Sequence, residues 1–403
     1  DIEGMPYLEA LRQFAHEEDD EDILFTHVTL VPYSKNGEQK TKPTQHSVKE
    51  LRSIGLQPDI LVGRADDELE PSTKEKIGLF CDVPTEAVFS NPDVEDVYHV
   101  PLTVEEEGLD QYVMERLGLA EEALPPAERE NTWRDLVTRE RTGEIDVALV
   151  GKYDLEDAYM SVHEALKHAG LEHGVDVNVV WVDADEADGD HRERLESADG
   201  VVVPGGFGSR GTEGKVEAVR YAREHDVPFL GLCLGFQMAV VEHARNVLGW
   251  DDADSAEFEP ETPYPVIDLL PDQHDEEDMG GTMRLGAHET EIAPGTLAER
   301  IYGDTSCTER HRHRYEVNPN YIEELETDGL VFSGHAGPRM EVLERDDHPY
   351  FVGTQFHPEF RSRPDRASPP FVGLLDAVLD ETDPHGDEST DDRDAVADEE
   401  VTA

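Results

Sequence analysis

The sequence has few cysteines and no long apolar run. Its three cysteines, Cys81, Cys233 and Cys307, lie at wide and unrelated spacings. Such spacings fit neither a disulfide framework nor a zinc motif, and they are typical of a reducing compartment, so we expect a cytoplasmic protein. No stretch of about 18 apolar residues occurs, and no basic, apolar signal sequence opens the chain, so we expect no membrane partner.

Positive charge is also scarce. The chain has 34 lysines and arginines against 94 acidic residues, which gives a formal net charge of −60. The acidic residues occur throughout the chain and are not confined to residues 381–403. A surface of one sign repels itself and repels polyanions, and salt screens that repulsion. The charge therefore excludes nucleic acid as an expected partner and predicts a salt-rich cytoplasm, as in halophilic archaea.

The length of 403 residues allows two domains, each with its own core. Strand-like and helix-like patterns alternate through residues 1–120 and again through residues 144–380. Such alternation predicts an α/β fold with parallel sheets and helices on both faces. The segment between them, residues 121–143, is rich in Glu, Pro and Arg and is predicted to be a linker with some helix. Residues 381–403 are predicted to be a disordered acidic tail.

The most informative stretch is residues 227–237. An apolar run ends at Cys233, which lies between Gly231 and Gly235, and apolar residues then recur at helical spacing. This pattern predicts a buried strand, a tight turn and a helix, with the thiol at the helix N-terminus. A helix N-terminus favours the thiolate, which is the reactive form. The alternative is a buried structural cysteine.

Two further stretches are suited to acyl transfer at a cysteine. The strand-like residues 201–204 lead into Gly205-Gly206-Phe207-Gly208, and free backbone N–H groups in such a loop form an oxyanion hole when they lie beside a nucleophile. Residues 351–356 form another apolar strand that ends at His357, with Glu359 two residues later, as a base and its orienting carboxylate would be placed. Each motif alone has a structural explanation, as a turn or as a structural histidine.

Cations are concentrated at two places. Residues 309–316 contain three arginines that are candidates to hold a carboxylate. Residues 40–47 are predicted to form a polar loop before a helix, and they place Lys40 and Lys42 close together, with Lys74 and Lys76 further on. Ammonium groups clustered in so acidic a chain indicate a site for an anion such as phosphate. The alternative is ordinary solvated lysines.

Taken together, residues 205–208, 231–237 and 355–359 resemble the signatures of class I glutamine amidotransferases. The resemblance implies a C-terminal amidotransferase domain with a parallel sheet flanked by helices. It also implies a reaction in which the cysteine attacks the side-chain amide of glutamine and releases ammonia. Water then hydrolyses the glutamyl thioester that remains.

Residues 1–3, 40–47, 76–81 and 310–318 resemble the CTP synthase family in particular. That resemblance implies that residues 1–120 are the C-terminal part of a Rossmann-like P-loop amidoligase domain. In this family ATP phosphorylates the 4-oxygen of UTP, and ammonia from glutamine displaces the phosphate. The family's glycine-rich phosphate loop and acidic magnesium ligands are not in this sequence, which begins at Asp1, so we expect them to precede it in the natural protein.

Carried over residue by residue, the resemblance makes Cys233 the nucleophile, His357 the base and Glu359 the acid of the triad. Gly206 and the backbone of Leu234 fall at the oxyanion hole. The positions implied to bind glutamine are Gly206, Leu234, Gly235, Phe236, Gln237, Glu257 and Arg314. Those implied to bind UTP, or CTP as inhibitor, are Asp1, Ile2, Glu3, Lys40, Thr41, Lys42, Pro43, Thr44, Gln45 and Lys76. Val94 falls near the position of the ATP adenine.

The family also implies Mg²⁺ and ATP as cofactors of the complete enzyme, GTP as an allosteric activator, CTP as a feedback inhibitor and a homotetramer. No metal ligand is assigned in this sequence. Two alternatives stay open: a different class I amidotransferase, such as one of purine synthesis, and a scaffold or binding subunit without catalysis. The second alternative usually goes with a lost nucleophile or base, and both are present here.

Overall fold

The computed structural model describes residues 3–19, 21–119, 132–152, 158–185, 189–269 and 283–382. The chain divides into two compact units, residues 1–138 and 139–403. Residues 121–131 of the predicted linker and residues 383–403 of the predicted tail lie outside the described residues. Within the described ranges, no helix is long and apolar enough to cross a membrane.

Unit 1 is built on a three-stranded parallel sheet of order β1-β2-β3. Its central strand is almost fully buried, and helices connect the strands as in other parallel sheets. The elements are α1 (Met5–Glu17), β1 (Thr26–Leu30), α2 (Lys42–Ser53), β2 (Ile60–Ala65), α3 (Pro71–Cys81), β3 (Val88–Pro92), α4 (Val100–Glu106), α5 (Leu109–Arg116) and α6 (Thr132–Val137).

The loop predicted for residues 40–47 is wrong in its second part. Helix α2 begins at Lys42, so Lys42, Pro43, Thr44 and Gln45 form its first turn. The proline belongs there because the first turn of a helix needs no intrahelical N–H donor and a proline φ is already close to helical. The polar character of residues 40–47 indicated a loop, whereas Pro43 marks the start of the helix.

Unit 2 contains a nine-stranded sheet of order β11-β10-β13-β14-β15-β7-β6-β4-β5 and a three-stranded sheet of order β12-β9-β8. Its elements are β4 (Glu144–Gly151), α7 (Met160–His173), β5 (Asp176–Asp183), α8 (Gly189–Glu196), β6 (Gly200–Val203), α9 (Thr212–Glu224), β7 (Phe229–Leu232), α10 (Leu234–Glu242), β8 (Ala253–Ser255), β9 (Tyr264–Asp268), β10 (Arg284–Ile292), α11 (Leu297–Tyr302), β11 (Ser306–His313), β12 (Glu316–Val317), α12 (Ile322–Leu325), β13 (Leu330–Ala336), β14 (Arg339–Arg345), β15 (Phe351–Thr354) and α13 (Pro369–Thr382).

The large sheet has a parallel half and an antiparallel half. Strands β5, β4, β6, β7 and β15 pair in parallel, which confirms the predicted α/β class. Strands β14, β13, β10 and β11 continue the sheet with antiparallel pairing. The antiparallel extension was not predicted. Strand β10 alternates between exposed and half-buried residues, as a sheet with one face in water does, and this pattern lacks the continuous apolar run of a buried parallel strand.

The parallel half lies between two hydrophobic cores. Val201 and Val203 of β6 face a core shared with α9 and α10, whereas Val202 faces a core shared with α7 and α13. Successive side chains of a strand point to opposite faces, so one strand supplies both cores. Every residue of β6, β7 and β15 is buried. Residues that follow these strands are therefore held at a rigid edge of the sheet.

Candidate active site

Cys233 lies at the sharp turn between β7 and α10. Its φ is +51°, in the left-handed region that residues other than glycine rarely adopt. A Cβ at Gly235 would lie 2.0 Å from the Val203 carbonyl oxygen, and one at Gly231 would lie 2.8 Å from the Gly235 carbonyl carbon. Gly235 is needed so that the helix start can pack against β6, and Gly231 so that β7 can pack against the backbone of Gly235. Strain of this kind concentrates at functional sites. The turn places the Cys233 thiol at the start of α10.

His357 and Glu359 follow β15, the strand next to β7. His357 Nδ1 and Glu359 Oε1 are 2.8 Å apart. The backbone N–H of His357 donates to the Arg310 carbonyl at 2.8 Å. This arrangement leaves Nε2 of the ring for Cys233, which lines the same cavity as His357. The structure thus brings together the three residues predicted as a triad, on the ends of two adjacent parallel strands.

The electrostatics of the site favour a charged imidazole. Burial alone lowers the pKa of His357, but the charge of Cys233, a hydrogen bond with it and Glu359 together raise that pKa to about 11. Burial raises the pKa of Cys307 to about 12 and also raises the pKa of Cys81. Cys233 is the cysteine whose neighbourhood contains a base.

The predicted glycine loop passes directly over the nucleophile. A Cβ at Gly205 would lie 2.9 Å from His357 Cε1 and 3.5 Å from Cys233 Cβ. A Cβ at Gly206 would lie 3.4 Å from Leu234 Cδ2. Gly205 therefore has no room for a side chain, and the backbone of residues 204–208 forms one wall of the site.

A cavity of about 190 Å³ extends from Cys233 to the two charged residues predicted to hold glutamine. Glu257 and Arg314 both line it, and Glu257 Oε1 accepts a hydrogen bond from the Gly208 N–H at 3.3 Å. Burial raises the pKa of Glu257, while the Gly208 N–H and the charges of Lys152 and Arg314 oppose that rise. A carboxylate and a guanidinium in one small cavity match the ammonium and carboxylate of an amino acid.

A second cavity, of about 270 Å³, is also lined by Cys233. It is lined by residues at the start of α7 together with His357, Glu359 and Phe360. Phe207 and Arg312 line both cavities, with the Arg312 guanidinium 5.7 Å from the centre of the Phe207 ring. Cys233 therefore lines both cavities.

The remaining residues predicted to bind glutamine support the site by packing or by backbone contacts. Phe236 is fully buried and lies 6.5 Å, between ring centres, from Phe332 in the core. Gln237 lines the smaller cavity, and its amide donates to the Tyr315 carbonyl at 2.9 Å and to Gln355 Oε1 at 3.2 Å. Leu234 and Gly235 form the first turn of α10.

In unit 1 the structure groups some of the lysines predicted to bind an anion. Lys40 Nζ lies 2.6 Å from Glu38 Oε2, and the Lys40 hydrogen bond, with the charge of Lys76 as a smaller contribution, lowers the pKa of Glu38. Lys42 Nζ lies 5.9 Å from the centre of the Phe80 ring. Lys74 points elsewhere, since its Nζ is 2.6 Å from Glu107 Oε2. The predicted cluster therefore holds Lys40 and Lys76 around one carboxylate, without Lys74.

The other predicted nucleotide-binding positions are spread over unit 1. Gln45 donates to Thr41 Oγ1 at 3.1 Å, and Thr44 Oγ1 lies 3.4 Å from Thr29 Oγ1 in the interior. Glu3 is exposed before α1, and Val94 is half-buried after β3. Asp1 and Ile2 lie outside the described residues.

Sequence reasoning missed two lysines next to the glycine loop. Lys152 and Lys215 are 6 % and 0 % exposed, and they come from β4–α7 and from α9, far from the motif in sequence. Lys152 contacts the Phe207 carbonyl, and Lys215 Nζ donates to the Pro204 carbonyl at 2.7 Å. Only the rarity of lysine in the chain, and the apolar residues around Lys215, could have drawn attention to them.

Among the described residues, one group of ligand types is close enough to hold a cation. The ligand atoms of His311, His313 and Glu341 all lie within 4.8 Å of one another, and all three residues are buried. Two of these atoms already form a hydrogen bond, since His311 Nδ1 and His313 Nε2 are 3.0 Å apart. Arg284 makes an ion pair with the Glu341 carboxylate. The group is therefore balanced by protein charges, and it does not match the oxygen-rich set that Mg²⁺ prefers.

The strand-end triad, the strained turn and the glycine loop define a class. A family model described as "Glutamine amidotransferase class-I" matches residues 154–377, so the site is that of a class I glutamine amidotransferase. A second model, described as "CTP synthase N-terminus", matches residues 1–119. The chain belongs to the CTP synthase family, whose members are ligases, and this confirms the predicted family.

Relatives with the name CTP synthase are similar over nearly the whole chain. That of Halobacterium salinarum is 76% identical over 95% of this chain and 69% of its own length. That of Haloarcula marismortui is 78% identical over 96% and 70%, and that of Archaeoglobus fulgidus is 57% identical over 94% and 71%. These matches give no support to another amidotransferase or to a scaffold.

A solved structure supports the fold of unit 2. The glutaminase domain of Trypanosoma brucei CTP synthase with bound acivicin has a TM-score of 0.55 and 38% sequence identity. The match covers 58% of this chain and 94% of that domain. The similarity confirms the amidotransferase fold that the sequence predicts for the second unit.

Proposed function

We propose that this chain hydrolyses glutamine at Cys233 and supplies the ammonia for amination of UTP to CTP. The observation that carries the proposal is the juxtaposition of Cys233, His357 and Glu359 beside a cavity lined by Glu257 and Arg314. Family membership supports the coupling to UTP.

The site residues account for each step of the hydrolysis. The Cys233 thiolate attacks the side-chain amide carbon of glutamine, a C–S bond forms, and the carbonyl oxygen becomes an oxyanion near the backbone of Gly206 and Leu234. The His357 imidazolium protonates the amide nitrogen, the C–N bond breaks and ammonia leaves. The neutral His357 then takes a proton from water, which attacks the thioester and releases glutamate and the thiolate.

Glu257 and Arg314 orient the substrate. The carboxylate pairs with the α-ammonium of glutamine and the guanidinium with its α-carboxylate. Their separation across the smaller cavity gives the substrate a single direction, with its side-chain amide toward Cys233.

For the nucleotides the proposal rests on the family and on unit 1. Lys40 and Lys76 are proposed to bind the phosphates of UTP, or of CTP as inhibitor, with Thr41, Lys42, Pro43, Thr44 and Gln45 around them. Val94 is proposed to pack on the adenine of ATP, which with Mg²⁺ would supply the phosphoryl group for activation of UTP. GTP is proposed to raise glutaminase activity, and the assembled enzyme is proposed to be a tetramer. Light scattering with and without ATP and UTP tests the assembly.

The proposed setting is a cytoplasm rich in salt. The supporting observation is the net charge of −60, which needs counterions to be tolerated in a folded state. Glutaminase activity and the fraction of folded protein should therefore both decrease as KCl is removed.

The test is ammonia release from glutamine by the chain and by Cys233→Ala, measured over a KCl series with and without GTP. The alanine variant should lose at least about 10⁴-fold in kcat, since removal of a nucleophile leaves only binding and the oxyanion hole. The glutamine analogue 6-diazo-5-oxo-L-norleucine should alkylate the Cys233 thiolate with loss of N2, so the wild-type peptide that contains Cys233 should gain the mass of the reagent less that of N2. An alanine variant as active as the wild type would overturn the assignment.

A further inference from the structure

The glycine loop over Cys233 is anchored on both sides by buried lysines. Lys215 Nζ donates to the Pro204 carbonyl at 2.7 Å, and Lys152 Nζ contacts the Phe207 carbonyl and lies 3.5 Å from that of Gly208. Between these anchors lie Gly205 and Gly206. An amine that is 0 % exposed and bound to a main-chain carbonyl is costly to bury, so its position needs an explanation.

Glycine pairs rotate their peptide groups easily, because no side chain restricts φ or ψ. An oxyanion hole needs the opposite, since its N–H groups must already point at the position of the developing charge. In a trans peptide the C=O and the N–H point in opposite directions. With the Pro204 carbonyl held by Lys215, the Gly205 N–H points away from that lysine. With the Phe207 carbonyl held by Lys152, the Gly208 N–H points away and reaches Glu257 Oε1.

The side chains of Lys152 and Lys215 both lie next to Gly206. A Cβ at Gly206 would lie 3.7 Å from Lys215 Nζ and 3.6 Å from Lys152 Cε. We propose that Lys215, together with Lys152, is a positioning residue that holds the Gly205–Gly206 backbone oriented toward the oxyanion formed on Cys233. This inference rests on the proposed glutaminase function.

The protonation state of Lys215 distinguishes an anchoring role, which needs only an N–H donor, from an electrostatic role, which needs the positive charge. Burial first, and then the charge of Lys152, lower the pKa of Lys215 to about 7, while Cys233 opposes the shift. A neutral amine still has N–H groups to donate to the Pro204 carbonyl, whereas its effect as a charge disappears above that pKa. An anchor therefore acts equally on both sides of neutral pH.

Lys215→Met tests the proposal, because methionine fills a similar volume without a donor or a charge. We expect kcat for glutamine hydrolysis to fall about 10- to 100-fold, by the same factor at acid and alkaline pH, with KM changed less than about threefold. Iodoacetamide alkylation of Cys233 forms no oxyanion, so its rate should stay within about threefold of wild type. Inhibition by L-glutamate γ-semialdehyde, which forms a tetrahedral adduct with the thiolate, should weaken in parallel with kcat/KM.

Three results would overturn the proposal: an unchanged kcat, an alkylation rate that falls with kcat, or a loss of activity confined to acid pH. A wild-type chain without glutaminase activity would instead reject the proposed function. Thermal unfolding checks that the variant is folded. Lys152→Met removes the second anchor, and it provides an independent test with the same expected division between kcat and alkylation if Lys215→Met does not fold.

Discussion

The two groups of lysines in this molecule differ in what they bind. In unit 2, Lys152 and Lys215 are buried and hold backbone carbonyls, so they act on the shape of a loop. In unit 1, the Lys40 side chain is 42% exposed and pairs with Glu38, and Lys76 is exposed. The first group is part of a site that is formed before substrate arrives. If the second group binds phosphate as proposed, Lys40 has to exchange its carboxylate partner Glu38 for the phosphate. Substitutions in unit 2 should therefore have larger effects, and effects less sensitive to salt.

The largest effect we expect among the supporting residues is that of Glu359→Gln in unit 2. Glu359 is one of the groups that raise the pKa of His357, after Cys233. A neutral glutamine lowers that pKa, so the imidazolium is lost at a lower pH. The alkaline limb of the kcat profile should move to lower pH, and kcat should fall about 10²- to 10⁴-fold.

Glu344→Gln is the matched control for this experiment. Glu344 is also buried, and its carboxylate accepts the N–H groups of Leu297 and Ala298 at 2.8 and 2.9 Å at the start of α11. Its substitution should lower thermal stability without moving the pH profile. An alkaline limb at the same pH in Glu359→Gln would show that Glu359 does not act on His357.

The triad was predictable because two sequence signals agree on it. An apolar run that ends in Gly-Leu-Cys-Leu-Gly and another that ends in His-Pro-Glu each describe a strand end, and neighbouring parallel strands bring their carboxyl ends to one edge. Lys215 gave no such signal. It lies one turn into α9, where an ordinary lysine would face solvent. Only the packing of α9 in the folded domain places it next to Gly206. The start of α2 was misjudged for a related reason, since local propensity does not tell a loop proline from one in a first helical turn.

A second, intermediate effect is expected at the glutamine cavity. Glu257→Gln removes a charge proposed to bind the α-ammonium of glutamine, and it lies away from the reacting atoms. KM for glutamine should rise about 10- to 100-fold, which corresponds to the free energy of one hydrogen bond to a charged group. The change in kcat should be smaller. Glu259→Gln is the control, because that exposed residue is only two positions away. Steady-state ammonia release measures both, and a loss confined to kcat would contradict the proposed role.

The smallest effect should be in unit 1. Lys76→Met removes one of the two cations near Glu38, and we expect the Kd for UTP, measured by isothermal titration calorimetry, to rise about three- to tenfold at low salt. The effect should shrink as KCl is added, because the side chain is exposed and its charge is screened. Lys49→Met, an exposed lysine further along α2, should leave Kd unchanged at every salt concentration. Equal effects of the two substitutions would mean that UTP binding responds only to the overall charge of unit 1. In that case there would be no reason to contrast a preformed site in unit 2 with a site in unit 1 that its ligand completes.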